Sequence, residues 1–189
     1  EMLVERAVEF LRKRQAPRYV CDLCTGSGCI AAAIAKGVDD IHIIATDVCD
    51  AALSVAAENI ANHGLEENVK LLCGDLFEPV VEGFDETRFD LIVSNPPYVS
   101  TEEMEGLDKN VKDYEPHVAL HAGEEGLDVY RKLIAQADDH LKDDGALMVE
   151  IGYQQAGQVR KLLEDAGCFK DITVEKDPHG NDRVVRAVK

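Results

Sequence analysis

The sequence predicts a Rossmann-like, doubly wound α/β fold with a mostly parallel seven-stranded sheet and an antiparallel terminal strand. Three observations carry this. Short β-branched runs alternate with longer helical patterns along the chain. Several strand-like runs are almost wholly apolar, as expected when helices cover both sheet faces. The last two strand-like runs have no helix between them, so they must pair in antiparallel fashion.

The elements follow in order. Leu3, Ala7, Val8, Phe10 and Leu11 form an amphipathic pattern that starts without a capping group, so the sequence reads as a piece whose N-terminal neighbour is missing. Arg18–Leu23 is a strand, and 29–36 is a short helix stopped by Gly37. Residues 41–46 form the next strand. Asp50 is placed as the N-cap of a helix carrying Leu53, Ala56, Ala57 and Ile60 and ending at His63-Gly64. Val69–Cys73 and Phe89–Ser94 are strands. A clear 3.6-residue period marks a helix over 127–141, Gly145 breaks it, and 146–151 is a strand. A helix over 154–166 ends at Gly167, and strands at 171–175 and 183–188 flank a Pro178-His179-Gly180 turn. The whole of 1–189 is expected to be one domain.

Composition excludes several function classes. Acidic residues outnumber basic ones, 37 to 20, giving a formal net charge of −17. Binding dominated by phosphates is therefore disfavoured, and no direct nucleic-acid partner is expected. No apolar run approaches the roughly eighteen residues of a membrane span, so no membrane partner is expected. The six cysteines lack paired metal-ligand spacing: Cys21-Asp-Leu-Cys24 has no second half, and Cys21 and Cys73 sit in apolar strand-like runs. No metal site is expected. Buried, reduced thiols point to a reducing, cytoplasmic compartment.

In doubly wound folds ligands lie at the carboxyl ends of the strands. The first strand runs into Asp22-Leu-Cys-Thr25-Gly26-Ser-Gly28, a turn where glycines let backbone approach a ligand and helix N–H groups lie beyond. Asp47 ends the second strand about twenty residues later, where a carboxylate can accept both ribose hydroxyls. A nucleoside-containing cofactor follows. Gly26-x-Gly28-x-x-Ala31 also satisfies the loose dinucleotide fingerprint, which keeps an NAD-dependent oxidoreductase in view. Asp22 beside the turn suits a cationic sulfonium better than a pyrophosphate, favouring S-adenosylmethionine, with S-adenosylhomocysteine as product. After the third strand, Asp75 is suited to accept from an adenine amino group, with Leu76 or Phe77 covering the ring.

The sharpest signal is Asn95-Pro96-Pro97-Tyr98 after the fourth strand. Prolines remove backbone donors, so the corner presents acceptors: the Asn95 side-chain oxygen and the Pro96 carbonyl. Two acceptors suit an NH2 group, and Tyr98 offers a face to a flat conjugated one. Such a grip aims the poorly nucleophilic nitrogen of an amide or aromatic amine at an electrophilic methyl group.

With these motifs the sequence resembles the class I S-adenosylmethionine methyltransferases, and among them the HemK/PrmC-type protein-(glutamine-N5) methyltransferases that modify peptide chain release factors. The resemblance extends to Tyr114-Glu-Pro-His-Val-Ala-Leu120, Gly123–Asp128 and Gly180–Val185. It implies cofactor contacts from Thr25, Gly26, Gly28, Asp47, Leu76 and Asn95, and glutamine binding by Asn95, Pro96, Pro97 and Tyr98. Asn95, Pro96 and Tyr98 are the expected catalytic residues. Release factors are the implied partners. The resemblance also implies that a helical N-terminal docking domain is absent from this sequence, and Cys24 stands where many methyltransferases carry glycine. Asn-Pro-Pro-Tyr alone also fits methylation of adenine N6 in nucleic acid, and a ribosomal-protein glutamine or a non-catalytic cofactor-binding module are further alternatives. The long connection from Val99 to Gly126 reads as a lid or binding element whose acidic residues (Glu102, Glu103, Glu105, Asp108, Asp113, Glu115) face a basic protein or simply solvent. His117, His121 and His179 read as ordinary loop residues.

Overall fold

A computed structural model describes residues 1–82, 88–106 and 120–189. Ala119 and the preceding part of the Tyr114–Leu120 block, together with Asp108, Asp113, Glu115 and His117, lie outside the described residues. Seven strands form one sheet in the order β3-β2-β1-β4-β5-β7-β6. They are β1 Arg18–Leu23, β2 Ile41–Asp47, β3 Val69–Cys73, β4 Phe89–Ser94, β5 Leu141–Glu150, β6 Lys170–Lys176 and β7 Asp182–Val188. The first five run parallel, while β7 is antiparallel to both β5 and β6. The antiparallel strand is thus the last in sequence but sits inside the sheet, and β6 forms the edge.

The helices are α1 Met2–Leu11, α2 Cys29–Gly37, α3 Asp50–Asn62, α4 Thr101–Gly106, α5 Asp128–His140 and α6 Ala156–Ala166, with a 3-10 turn at Glu78–Glu82. Alternation along the central strands splits the core in two. Val20, Leu91 and Val93 pack with Leu3, Ala7 and Leu11 of α1 and with Ile34 of α2. Cys21, Leu23 and Ile92 face the other way, onto Tyr130, Leu133 and Ile134 of α5 and Val159 and Leu163 of α6.

Some boundaries differ from expectation. Cys49, rather than Asp50, occupies the N-cap of α3, and Asp50 stands in the first turn, where a carboxylate still complements the helix dipole. Leu141 opens β5 instead of closing α5, because β5 begins with the pair Leu141–Phe89 and crosses an irregularity before resuming at Ala146–Leu91. Asp144 takes a positive φ of 61° within that irregularity. Helix α6 starts at Ala156, two residues later than expected. Cys73 is exposed rather than buried, since β3 is an edge strand and Cys73 its last residue; Cys29 is exposed too, and all six thiols are free. No helix among the described residues is long and apolar enough to cross a membrane.

Ile92 lies fully buried on β4, with parallel strands on both sides. Ile92→Ala is expected to cost about 2–5 kcal/mol, read as a lower urea midpoint with an unchanged slope.

Candidate active site

The sheet's strand order reverses between β1 and β4, opening a crevice at their carboxyl ends. Register makes the strand ends level: Leu23 pairs with Thr46 and with Ser94, and Asp47 with Cys73. Two buried hydroxyls lock this edge. Ser94 Oγ donates to the Leu23 carbonyl at 2.7 Å, and Thr46 Oγ1 donates to the Leu76 carbonyl at 2.9 Å. Above the edge lies a cleft of about 790 Å³ lined by all four strand-end loops.

The glycine turn is built from both sides. Thr25 N–H donates to the Thr46 carbonyl at 3.0 Å, and Asn59 of α3 donates to the Ser27 carbonyl at 2.9 Å. Gly28, at φ 76°, is the N-cap of α2, and a Cβ there would meet the Ala56 Cβ at 3.1 Å. Its role is close helix packing, and it is absent from the cleft wall, whereas Gly26 lies on that wall with open space around it. Cys24 accommodates the turn with φ 57°, the left-handed region that glycine enters more readily.

Asp47 stands on the cleft wall with each carboxylate oxygen accepting one backbone N–H, Oδ2 from Gly26 at 2.8 Å and Oδ1 from Cys49 at 2.9 Å. Each oxygen keeps a further lone pair, which is what two vicinal hydroxyls require. Asp75 and Leu76 share the wall; Asp75 Oδ2 also meets Lys132 of α5 at 3.2 Å. Phe77 does not cover the cleft, because it is buried and stacks on His140 with centroids 4.2 Å apart.

Asp22 corrects the expectation of a direct cofactor contact. Strand alternation turns it with Val20 toward α2, where it is fully buried and absent from the cleft wall. Both of its hydrogen bonds fall on Oδ2, from Thr25 Oγ1 at 2.6 Å and from Ala31 N–H at 3.1 Å, leaving Oδ1 buried without a partner. Burial pushes its carboxyl up to about 7; the two hydrogen bonds oppose this, and the nearby Asp47 charge adds to it.

At the Asn95 corner the structure brings Asn95 and Pro97 to the cleft wall, but not Pro96 or Tyr98. Beyond the end of β4 Pro96 is buried and Tyr98 packs partly buried against the core. Sequence reasoning missed other lining residues: Ile30, Val48, Ala52, Val129 and the thiols of Cys29 and Cys49. It also missed His121, which reaches the wall because Val99 and His121 form a β-bridge; its Nε2 lies 3.0 Å from Thr101 Oγ1. No spacing signal marks that pairing. Ser100 and Glu103 form a reciprocal capping box at α4, Ser100 N–H to Glu103 Oε2 at 3.0 Å and Glu103 N–H to Ser100 Oγ at 3.2 Å, so Glu103 serves its own helix.

The sequence matches the family model described as "Methyltransferase small domain" over residues 5–110, more than half the chain. The chain belongs to the methyltransferase small-domain family. It is 41% identical over 189 residues to the release factor glutamine methyltransferase of Clostridium acetobutylicum, covering 100% of this chain and 65% of that relative. The relative of the same name from Geobacter sulfurreducens is 41% identical over 185 residues, covering 98% of this chain and 62% of its own length. The chain therefore spans just under two thirds of the curated relatives it matches. Among solved structures, the protein-(glutamine-N5) methyltransferase (release factor-specific) of Alicyclobacillus acidocaldarius subsp. acidocaldarius DSM 446 is similar with a TM-score of 0.59 and 27% identity, covering 99% of this chain and 89% of that one. In this methyltransferase-family chain the glycine turn, Asp47 and Asn95 converge on one cleft.

The raised Asp22 carboxyl has a definite sign in stability. Between about pH 4 and 7 the native chain keeps a proton that the unfolded chain has released. Its contribution is complete below about pH 4 and declines as pH rises to about 7. Asp22→Asn does not titrate, so its stability relative to the wild type should rise by more than about 1 kcal/mol across that window, measured by urea denaturation at a series of pH values.

Proposed function

We propose that this chain is the catalytic domain of an enzyme that transfers a methyl group from S-adenosylmethionine to the side-chain amide nitrogen of a glutamine in peptide chain release factors. The observation that carries it is the meeting of Asn95 and Pro97 with Thr25, Gly26, Asp47, Asp75 and Leu76 on one cleft wall. The resemblance of the whole chain to release factor glutamine methyltransferases at about 40% identity supports the substrate. A reducing cytoplasm, where release factors work, is the compartment this reading takes.

The donor set fits S-adenosylmethionine. Asp47 has two oxygens with spare lone pairs for the ribose, Leu76 and Ile30 give apolar wall, and Asp75 is an acceptor. When bound, S-adenosylmethionine supplies an electrophilic methyl group on a positively charged sulfur.

The protein's own part is positioning. Asn95 stands exposed on the wall, where its carboxamide oxygen would serve as an acceptor, and Pro96 and Pro97 contribute no N–H that would compete for it. An amide NH2 held by acceptors here has its lone pair oriented toward the methyl carbon. With S-adenosylmethionine held by Asp47, Asp75 and Leu76, its sulfonium would supply the methyl group and serve as leaving group, and the amide held at Asn95 would release one proton to solvent. No base need act first, because the nitrogen becomes acidic only as it acquires positive charge.

Asn95→Ala is expected to lower transfer about 100-fold or more while S-adenosylhomocysteine still binds. Mass spectrometry of a glutamine-containing release-factor peptide checks this; unchanged turnover refutes the role, and a methyl group found on adenine N6 of an offered oligonucleotide would move the substrate to nucleic acid. Asp47→Ala should weaken S-adenosylhomocysteine about 10–100-fold by calorimetry. Equal affinity would remove the ribose assignment, and tight NAD binding would refute the cofactor.

A further inference from the structure

The β5–α6 connection contains a side chain that the glutamine-gripping scheme does not use. Gln155 is 8% exposed and all of its polar atoms are engaged. Its Nε2 donates to the Tyr98 carbonyl at 2.9 Å and to the Gly126 carbonyl at 3.2 Å, and its Oε1 accepts the Gly152 N–H at 3.1 Å. One carboxamide thus joins three segments far apart in sequence: the end of the Asn95–Tyr98 corner, the turn before α5 and the turn after β5.

Several features show that the local structure is built around this contact. Gln155 is the N-cap of α6, yet its side chain makes no capping bond. Ser, Thr, Asp or Asn serve helices best there, so the position forgoes that benefit. Two glycines clear room for it. At Gly126, φ 70°, a Cβ would stand 2.4 Å from the Tyr98 carbonyl oxygen and 2.8 Å from Gln155 Nε2. At Gly152 a Cβ would stand 2.9 Å from Gln155 Oε1 and 3.4 Å from Tyr98 Cδ2.

The corner needs such an anchor. Pro96 and Pro97 lack N–H groups, so half of the four-residue corner has no backbone donor to hold it. Upstream, Ser94 Oγ on the Leu23 carbonyl fixes its start. Downstream, Val99 pairs with the 120–122 segment, Val99 N–H to Leu120 at 2.8 Å and Ala122 N–H to Val99 at 3.0 Å. Those two loops hold each other, and Gln155 ties both to the β5–α6 turn.

We propose that Gln155 is a positioning residue for the transfer reaction, acting through the Tyr98 backbone to hold the Asn95 corner at the reacting distance from the cofactor. The inference rests on the reading of that corner as the amide grip. A shift of about 1 Å in a reacting group costs on the order of 100-fold in rate, so a loosened clamp acts on kcat first.

Gln155→Met preserves the length and removes all three hydrogen bonds; Gly152→Ala keeps Gln155 and displaces it from the other side, which covers the case in which the first variant fails to fold. With the release-factor peptide, both should lower kcat about 10–100-fold, with KM for the peptide and the dissociation constant of S-adenosylhomocysteine each changed less than about threefold. Unchanged kcat, or a loss of cofactor affinity in parallel with the loss of rate, overturns the proposal. Hydrogen exchange at the Tyr98, Val99 and Ser100 amides, read without substrate, decides the clamp apart from any reaction: faster exchange in the variants supports it and identical exchange overturns it. A wild-type chain that methylates no glutamine peptide while the variants exchange faster refutes the proposed reaction and leaves the clamp in place.

Discussion

The cleft depends above all on the parallel pairing of β1 with β4. These strands are far apart in sequence, yet Leu23 and Ser94 stand opposite each other, and the buried Ser94 hydroxyl on the Leu23 carbonyl closes the pair at its last residue. A slip of one residue would turn every side chain of β4 to the other face and move the Asn95 corner by a full strand step. Both faces of Leu91–Val93 are apolar, so the polar residues at the two ends of β4 pin the register: Asp90 accepts the Tyr19 N–H at 2.9 Å and Lys142 Nζ at 3.1 Å, and Ser94 holds the Leu23 carbonyl. Burial of aliphatic surface, a non-directional force, holds β4 in the sheet, and the directional bonds at its ends place the Asn95 corner at the cleft edge.

Around this edge the carboxylates take different tasks because of burial rather than type. Asp47 is partly buried and has a backbone donor on each oxygen, and both oxygens retain capacity for a ligand. Asp22 is fully buried with both donors on a single oxygen, so its charge is poorly compensated and its carboxyl is pushed up to about 7. It shapes the turn by holding Thr25 and the first turn of α2. The two lie close enough for the Asp47 charge to raise Asp22 further, which couples the protonation of the turn to the electrostatics of the cleft.

The corner itself shows a division of labour along four residues. Asn95 and Pro97 face the cleft, while Pro96 and Tyr98 face the protein. The inward pair is the foundation of the outward pair: Tyr98 packs on the α5 and α6 core, and its carbonyl is held by Gln155. A motif read from sequence as four ligand-facing residues is in the fold two facing residues and two that fix them.

Local pattern was enough for most of the architecture. Short β-branched and apolar runs marked all seven strands, a 3.6-residue period marked the helix over 127–141, and the glycine turn, Asp47, Asp75, Leu76 and Asn95 were legible because ligand sites in this fold follow strand ends. What remained hidden required knowing which way a side chain points and what lies across from it. Asp22 turned away from the cleft by strand alternation, Pro96 and Tyr98 packed inward beyond the end of β4, His121 arrived on the cleft through a bridge to Val99, and Gln155 reached Tyr98 from a distant segment. Chemistry at a strand end is a property of the chain's local order, so sequence alone determines it. Contact between segments brought together by packing is decided only when the sheet and its two cores assemble, because many sequences of similar pattern could place a different neighbour there.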